Sequence, residues 1–103
     1  METSVVNEPE AERYVITADG APAGFTQYRE RPGLIAFVHT EVDPRFEGQG
    51  VGSALIRFAL DDARARGLIV LPFCPFVNAY IQRHPDAYAD LVPADWRAKF
   101  GLG

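Results

Sequence analysis

The chain has 103 residues, 48% of them hydrophobic and 23% charged, and carries a formal net charge of −4 at pH 7. That length supports one hydrophobic core and excludes two, the acidic balance argues against a broad nucleic-acid-binding surface, and no apolar run reaches the ~20 residues a membrane span requires. A single cysteine, Cys74, excludes an internal disulfide, and with only His39 and His84 beside it no zinc-ligand spacing can be assembled, so no metal is expected.

Residues 1–12 are polar, include Asn7 and Pro9, and read as a flexible leader. They have neither the basic region nor the apolar core of an export signal, which leads to the expectation of a cytoplasmic protein. A single domain is expected over 13–103. RYVITA (13–18) suits a strand, Asp19-Gly20 a turn, and AGFTQYR (23–29) a second strand, so this region reads as a hairpin. Arg31-Pro32-Gly33 breaks the chain before a third strand, LIAFVHTEV (34–42), in which strict alternation puts Phe37, His39 and Glu41 on one face. From Val51 to about Arg66 the spacing becomes helical, with Val51, Ala54, Leu55, Phe58 and Ala59 on an apolar face and Asp62 intruding near its end. Gly67 suits the position after the helix, and Leu68 to Phe73 is a continuous apolar run of the kind found in buried strands. Cys74-Pro75 fits a helix start with proline in its first position, and His84-Pro85 ends that helix. Two short helices over 86–91 and 93–100 complete the order. The expected fold is α/β (α+β): a mixed sheet from an antiparallel three-strand meander and a right-handed β-α-β crossover, with C-terminal helices.

The stretch from Glu47 to Ser53, Glu-Gly-Gln-Gly-Val-Gly-Ser, sets three glycines before the long helix. Peptide N–H groups in the first turn of a helix lack internal partners and carry partial positive charge, so they seat phosphate readily, and glycine permits close approach. Gln49, Gly50, Val51, Gly52 and Ser53 would form such a seat; a tight strand-to-helix turn without a ligand is the alternative. The spacing fits neither the dinucleotide fingerprint nor the P-loop. Arg45, Arg57 and Arg83 are separated cations that suit one small anion or plain solvation.

HTEV, then Glu47 to Gly52 opening an amphipathic helix, then a buried strand, and further on PFCPFV (72–77), Tyr80-Ile81 and His84-Pro85, resemble the small single-domain members of the GNAT superfamily of acyl-CoA-dependent N-acetyltransferases. The likeness runs from about Arg13 to Val92 and departs from the family pattern at Glu47, where Gln or Arg is usual. It implies acetyl-CoA as acyl donor, with the pyrophosphate on the Gln49 to Ser53 amides, Glu47 and Gly48 as neighbouring cofactor contacts, and the pantetheine arm along the backbone of Glu41, Val42 and Asp43. Cys74 and Asn78 complete the expected cofactor contacts. It also implies an acceptor amine, small or on a protein, and a compact fold without the helices that enclose the acceptor in larger relatives. Oligomeric state stays open, since Trp96 and Phe100 suit either the chain's own core or a second copy.

In larger relatives an asparagine binds the arm, and a tyrosine seven residues later protonates the departing thiolate. Here Cys74 and Ile81 stand near those positions, so the acid is missing and Tyr80 is out of register by one residue. Cys74 at a helix N-cap has a dipole favouring its thiolate, which would let it carry the acetyl group; packing is the plainer role for a lone cysteine. Glu41 and His39 are candidates for the base that deprotonates the amine, or else exposed strand residues. The competing function is a non-catalytic module that binds coenzyme A or a partner protein.

Overall fold

The computed structural model describes residues 1–103. Five strands, β1 (Thr3–Glu8), β2 (Arg13–Ala18), β3 (Ala21–Arg31), β4 (Leu34–Val42) and β5 (Ile69–Pro72), form one sheet in that spatial order, antiparallel except for the parallel β4–β5 pair. Helix α1 (Val51–Ala65) makes the crossover from β4 to β5, and α2 (Pro75–Arg83), α3 (Pro85–Tyr88) and α4 (Ala94–Arg97) follow, the last two extended by 3-10 turns. This is the mixed sheet, crossover and helical C-terminus expected from the sequence.

The N-terminal residues differ from expectation. Thr3–Glu8 is not a leader but an edge strand, paired with β2 from Thr3↔Ala18 to Glu8↔Arg13. Val5 packs against the core, and Asn7 accepts a 2.6 Å hydrogen bond from the Tyr28 hydroxyl. With one of its two inward residues polar, the strand lacks the apolar alternation by which strands are recognised.

The core lies between the sheet and α1 with α2. Tyr14, Ile16, Tyr28, Ile35, Phe37 and Val70 from the sheet meet Val51, Leu55, Ile56, Ala59, Leu60 and Ala63 of α1 and Val77 and Ile81 of α2, all essentially without exposure. The inward stripe of α1 is therefore rotated from the expected one, and Phe58 is 43% exposed. Asp62, the anomaly on the apolar face, accepts a 2.5 Å hydrogen bond from the Tyr14 hydroxyl. Burial of a phenol is tolerable when its hydroxyl is satisfied in this way.

One irregularity positions the site. Gln27 pairs with His39 and Tyr28 with Phe37, so Val38 is an unpaired bulge residue in β4. Two residues of one strand then face one step of its neighbour, and alternation changes phase. Phe37 points into the core, as does Thr40, which is hydrogen-bonded to the buried Thr26 (2.9 Å), while His39 and Glu41 are exposed. Phe37 does not share their face.

Candidate functional site

Asp43 ends β4 and caps a 3-10 turn (Pro44–Phe46) by accepting from the Arg45 N–H at 2.9 Å. The chain then passes through Gly48 and Gly50, with φ of +77° and +79°, into α1. Gly50 is the N-cap of α1 and offers no side chain to it. A left-handed conformation costs other residues roughly 1–2 kcal/mol, so the approach to the helix requires glycine here. The first backbone bond of the helix runs from the Ala54 N–H to the Gly50 carbonyl (3.0 Å), and the N–H groups of Gly50, Val51, Gly52 and Ser53 have no acceptor within the protein. Gln49 leaves the expected set, because its N–H donates to the Phe46 carbonyl at 3.3 Å and its side-chain amide to the Arg45 carbonyl at 3.2 Å.

These four amides border a cleft of about 430 Å³ closed by Val42, Phe46 and Phe76, with Glu47 and Gly48 at its rim. A Cβ on Gly52 would stand 2.5 Å from Cζ of Phe76 and 3.3 Å from Cγ2 of Val42. The missing side chain thus lets the starts of α1 and α2 and the end of β4 converge on one point. None of Arg45, Arg57 and Arg83 lines this cleft. Arg45 is held by Asp43 (2.9 Å), whose carboxyl it keeps below the usual carboxylate range, and Arg83 lies over the Tyr80 ring at 6.0 Å. The positive potential of the cleft comes from peptide dipoles at the end of a fifteen-residue helix.

Beside the cleft the sheet opens. β4 and β5 pair only as far as Phe37↔Pro72, and the Cys74 N–H closes the pairing on the Phe37 carbonyl at 2.8 Å. Beyond that point His39 to Val42 have β3 on one side and a gap on the other. The Asp43 N–H donates to Ala23 in β3 (2.8 Å), and alternation turns the backbone of Glu41 the same way. The peptide groups facing the gap are those of Thr40 and Val42. Of the expected backbone contacts at Glu41, Val42 and Asp43, only Val42 is so oriented.

Cys74 is the N-cap of α2 and only 3% exposed, with Sγ 3.2 Å from the Thr40 hydroxyl. His39 Nε2 and Glu41 Oε2 are 2.9 Å apart on the opposite, exposed face. Strand β4 therefore separates the cysteine from both candidate bases. Glu41 borders a second cleft of about 560 Å³ on that open face, which also includes Val42, so the two clefts lie back to back across the strand. Asn78, an expected cofactor contact, instead donates to the Phe100 carbonyl at 2.9 Å and fastens the C-terminal segment; its buried Oδ1 has no partner. Ile81 is in the core, and Tyr80 is 5% exposed, its ring packed on His84 and Tyr88. Thr40 and Thr26 are the residues that sequence reasoning missed, since only the bulge turns Thr40 toward Cys74.

The five-stranded mixed sheet with its β4–β5 gap and the long crossover helix beside it place the chain in the class of N-acetyltransferase folds, as its structural neighbours show. Among solved structures, the ribosomal-protein-S18-alanine N-acetyltransferase of Escherichia coli aligns at 26% identity and TM-score 0.56, over 62% of this chain and 43% of that one. Ard1 from Thermoplasma volcanium aligns at 30% identity and TM-score 0.52, over 62% and 44%. A ribosomal-protein-alanine N-acetyltransferase from Brucella melitensis biovar Abortus 2308, 21% identical with TM-score 0.53 over 81% and 62%, shares the fold. The chain spans less than two thirds of the length of each. No curated protein matches it by sequence. The chain belongs to the GCN5-related N-acetyl-transferase family, whose pattern matches residues 13–91.

Proposed function

We propose that this protein binds acetyl-CoA and transfers its acetyl group to an amine. The observation that carries the reading is the row of unpaired amides from Gly50 to Ser53 opening on a cleft beside the β4–β5 gap. Four convergent N–H donors at a helix N-terminus, with no side chain in front of them, suit a diphosphate in chemistry and charge. Gly50, Val51, Gly52 and Ser53 would hold that group, the Ser53 hydroxyl adding a donor, and the peptide groups of Val42 and Thr40 would pair with an amide-bearing arm in the gap. The cofactor, when bound, supplies an acetyl group activated as a thioester. Glu41, with His39 against it, takes the proton from the amine on the open face, and the gap lets an acceptor on that face meet a donor held on the other. Cys74, with Thr40 beside it and no base on its side of β4, lines the route; direct transfer is favoured over passage through the sulfur.

The buried position of Tyr80 favours a second reading, a module that binds the cofactor without turnover. Calorimetry with acetyl-CoA and free CoA, followed by thiol release with a panel of amines, separates the two. Micromolar binding and release that Glu41→Gln slows at least tenfold support transfer, binding with no release supports the module, and no heat with either cofactor sinks both. Intact mass of wild type and Cys74→Ala tests the sulfur route, which an acetyl adduct present only in wild type would restore.

A further inference from the structure

Strand β1 closes one side of the sheet, with β2 as its sole neighbour. The Glu2 carbonyl accepts from the Asp19 N–H at 2.7 Å, which fixes the phase of the ladder. Even-numbered residues of β1 turn their peptide groups toward β2, so the N–H and C=O groups of Thr3, Val5 and Asn7 point away from the sheet in a row with no partner strand. Native sheets blunt such an edge with lysine, proline or a bulge. Thr3–Glu8 contains neither lysine nor proline, and its register with β2 runs unbroken. On the helix side of this edge lies a groove of about 400 Å³, where Val5, Ala54 and the exposed Phe58 meet the exposed Arg57 and Asp61. The two ends of the strand are acidic. Every charged side chain in residues 1–12 is a glutamate. Glu2 has Asp19 beside it, accepting from its N–H at 2.9 Å, and at the other end Glu8, Glu10 and Glu12 stand against Arg13, which pairs with Glu8 at 2.7 Å.

We propose that the β1 edge docks an extended segment of a partner protein, antiparallel to β1, with a basic residue at each end and an apolar residue midway between them. Antiparallel pairing lets Thr3, Val5 and Asn7 each exchange both main-chain bonds with the incoming strand. The residue opposite Val5 then lies on the α1 face, in the groove beside Phe58. Side chains alternate, so the residues opposite Glu2 and Glu8 lie on the other face, next to those carboxylates. Main-chain bonds supply affinity, and the groove and the acidic ends select the sequence. This surface is distinct from the cleft at the start of α1 and from the face carrying His39 and Glu41.

The probe is a dye-labelled peptide, Arg-Thr-Thr-Leu-Thr-Thr-Arg blocked at both ends, titrated with the full chain and read by fluorescence anisotropy. It carries no free amine and is therefore no acetyl acceptor. Saturable binding is expected, weaker as salt rises, and at least about tenfold weaker for a second probe with glutamate in place of both arginines. Thr3→Pro removes one outward N–H from an exposed residue at the start of the strand, where proline is tolerated, and is expected to weaken binding at least about threefold. Hydrogen exchange of the wild-type amides, followed by NMR, is expected to slow at Thr3, Val5 and Asn7 when the arginine probe is added and to stay unchanged at Ser4 and Val6, which already bond to β2. If Thr3→Pro fails to fold by circular dichroism, the exchange experiment carries the test. No saturable binding, equal binding of the two probes, a folded Thr3→Pro variant that binds like wild type, or unchanged exchange at Thr3, Val5 and Asn7 overturns the proposal. A dimer in sedimentation whose Thr3, Val5 and Asn7 amides are protected without any peptide overturns it as well, since the occupant would then be a second copy.

Discussion

The two ends of α1 are built on opposite rules. At the C-terminal end the chain satisfies itself: the N–H groups of Arg66, Gly67 and Leu68 return to the carbonyls of Asp62, Arg64 and Ala63 at 2.9–3.1 Å. Asp62 receives the Tyr14 hydroxyl, and Arg66 binds Glu30 at 2.6 Å. At the N-terminal end four N–H groups are left without acceptors and the capping position holds a glycine. A serine or aspartate cap accepting from those donors would stabilise such an end by a few tenths of a kcal/mol over glycine. One end of the helix is made for stability, and the other forgoes it to leave donors exposed, which is the expected signature of a binding site.

Gly50→Val breaks the open end. The Cβ meets no atom of the protein, so the residue stands in the space in front of the amides, and φ of +79° strains it. Calorimetry is expected to show coenzyme A affinity falling more than tenfold, and thermal melts a loss of about 1–2 kcal/mol. Tyr14→Phe tests the closed end. It removes the hydrogen bond to Asp62 and is expected to cost about 1–2 kcal/mol in urea unfolding with coenzyme A affinity unchanged within twofold. Burial, reinforced by the Asp62 carboxylate, holds the Tyr14 phenol well above its ordinary pKa, and Tyr88 is pushed up to about 12 by the same causes with Asp61. A raised phenol keeps its proton in the folded state after the unfolded chain has lost it. The associated stability is complete below about pH 10 and lost as pH rises from there through the folded values. Urea midpoints are expected to fall as pH rises from about 10 towards 12, less steeply in Tyr14→Phe. The smallest effect belongs to Arg64→Ala, whose exposed pair with Asp90 (2.9 Å) is expected to contribute under about 1 kcal/mol, and a cost above 2 would mean the closed end depends on its surface charges.

What was legible in the sequence was local. The three glycines, the Cys74-Pro75 helix start and the Asp19-Gly20 turn announce themselves within a few residues, because backbone conformation and capping are decided there. Asp62 was legible as an anomaly, but its partner Tyr14 lies 48 positions away in the chain. The face carrying His39 and Glu41 could not be assigned correctly from alternation, since the bulge at Val38 exists only in the register with β3. Asn78 was a cofactor contact only by the family resemblance, and its partner here, the Phe100 carbonyl, lies 22 positions further along the chain. Strand β1 was hidden because an edge strand with one polar inward residue needs its neighbour to be seen.

The account turns on the four free amides, and two-dimensional ¹⁵N–¹H NMR of the labelled protein observes them one by one. Titration with coenzyme A should shift the Gly50, Val51, Gly52 and Ser53 cross-peaks strongly, pantetheine without the diphosphate should leave them nearly in place, and Arg66 and Gly67 at the closed end should move with neither. Cross-peaks from Gly50 to Ser53 that stay still while coenzyme A binds elsewhere, or move equally with pantetheine, would contradict it.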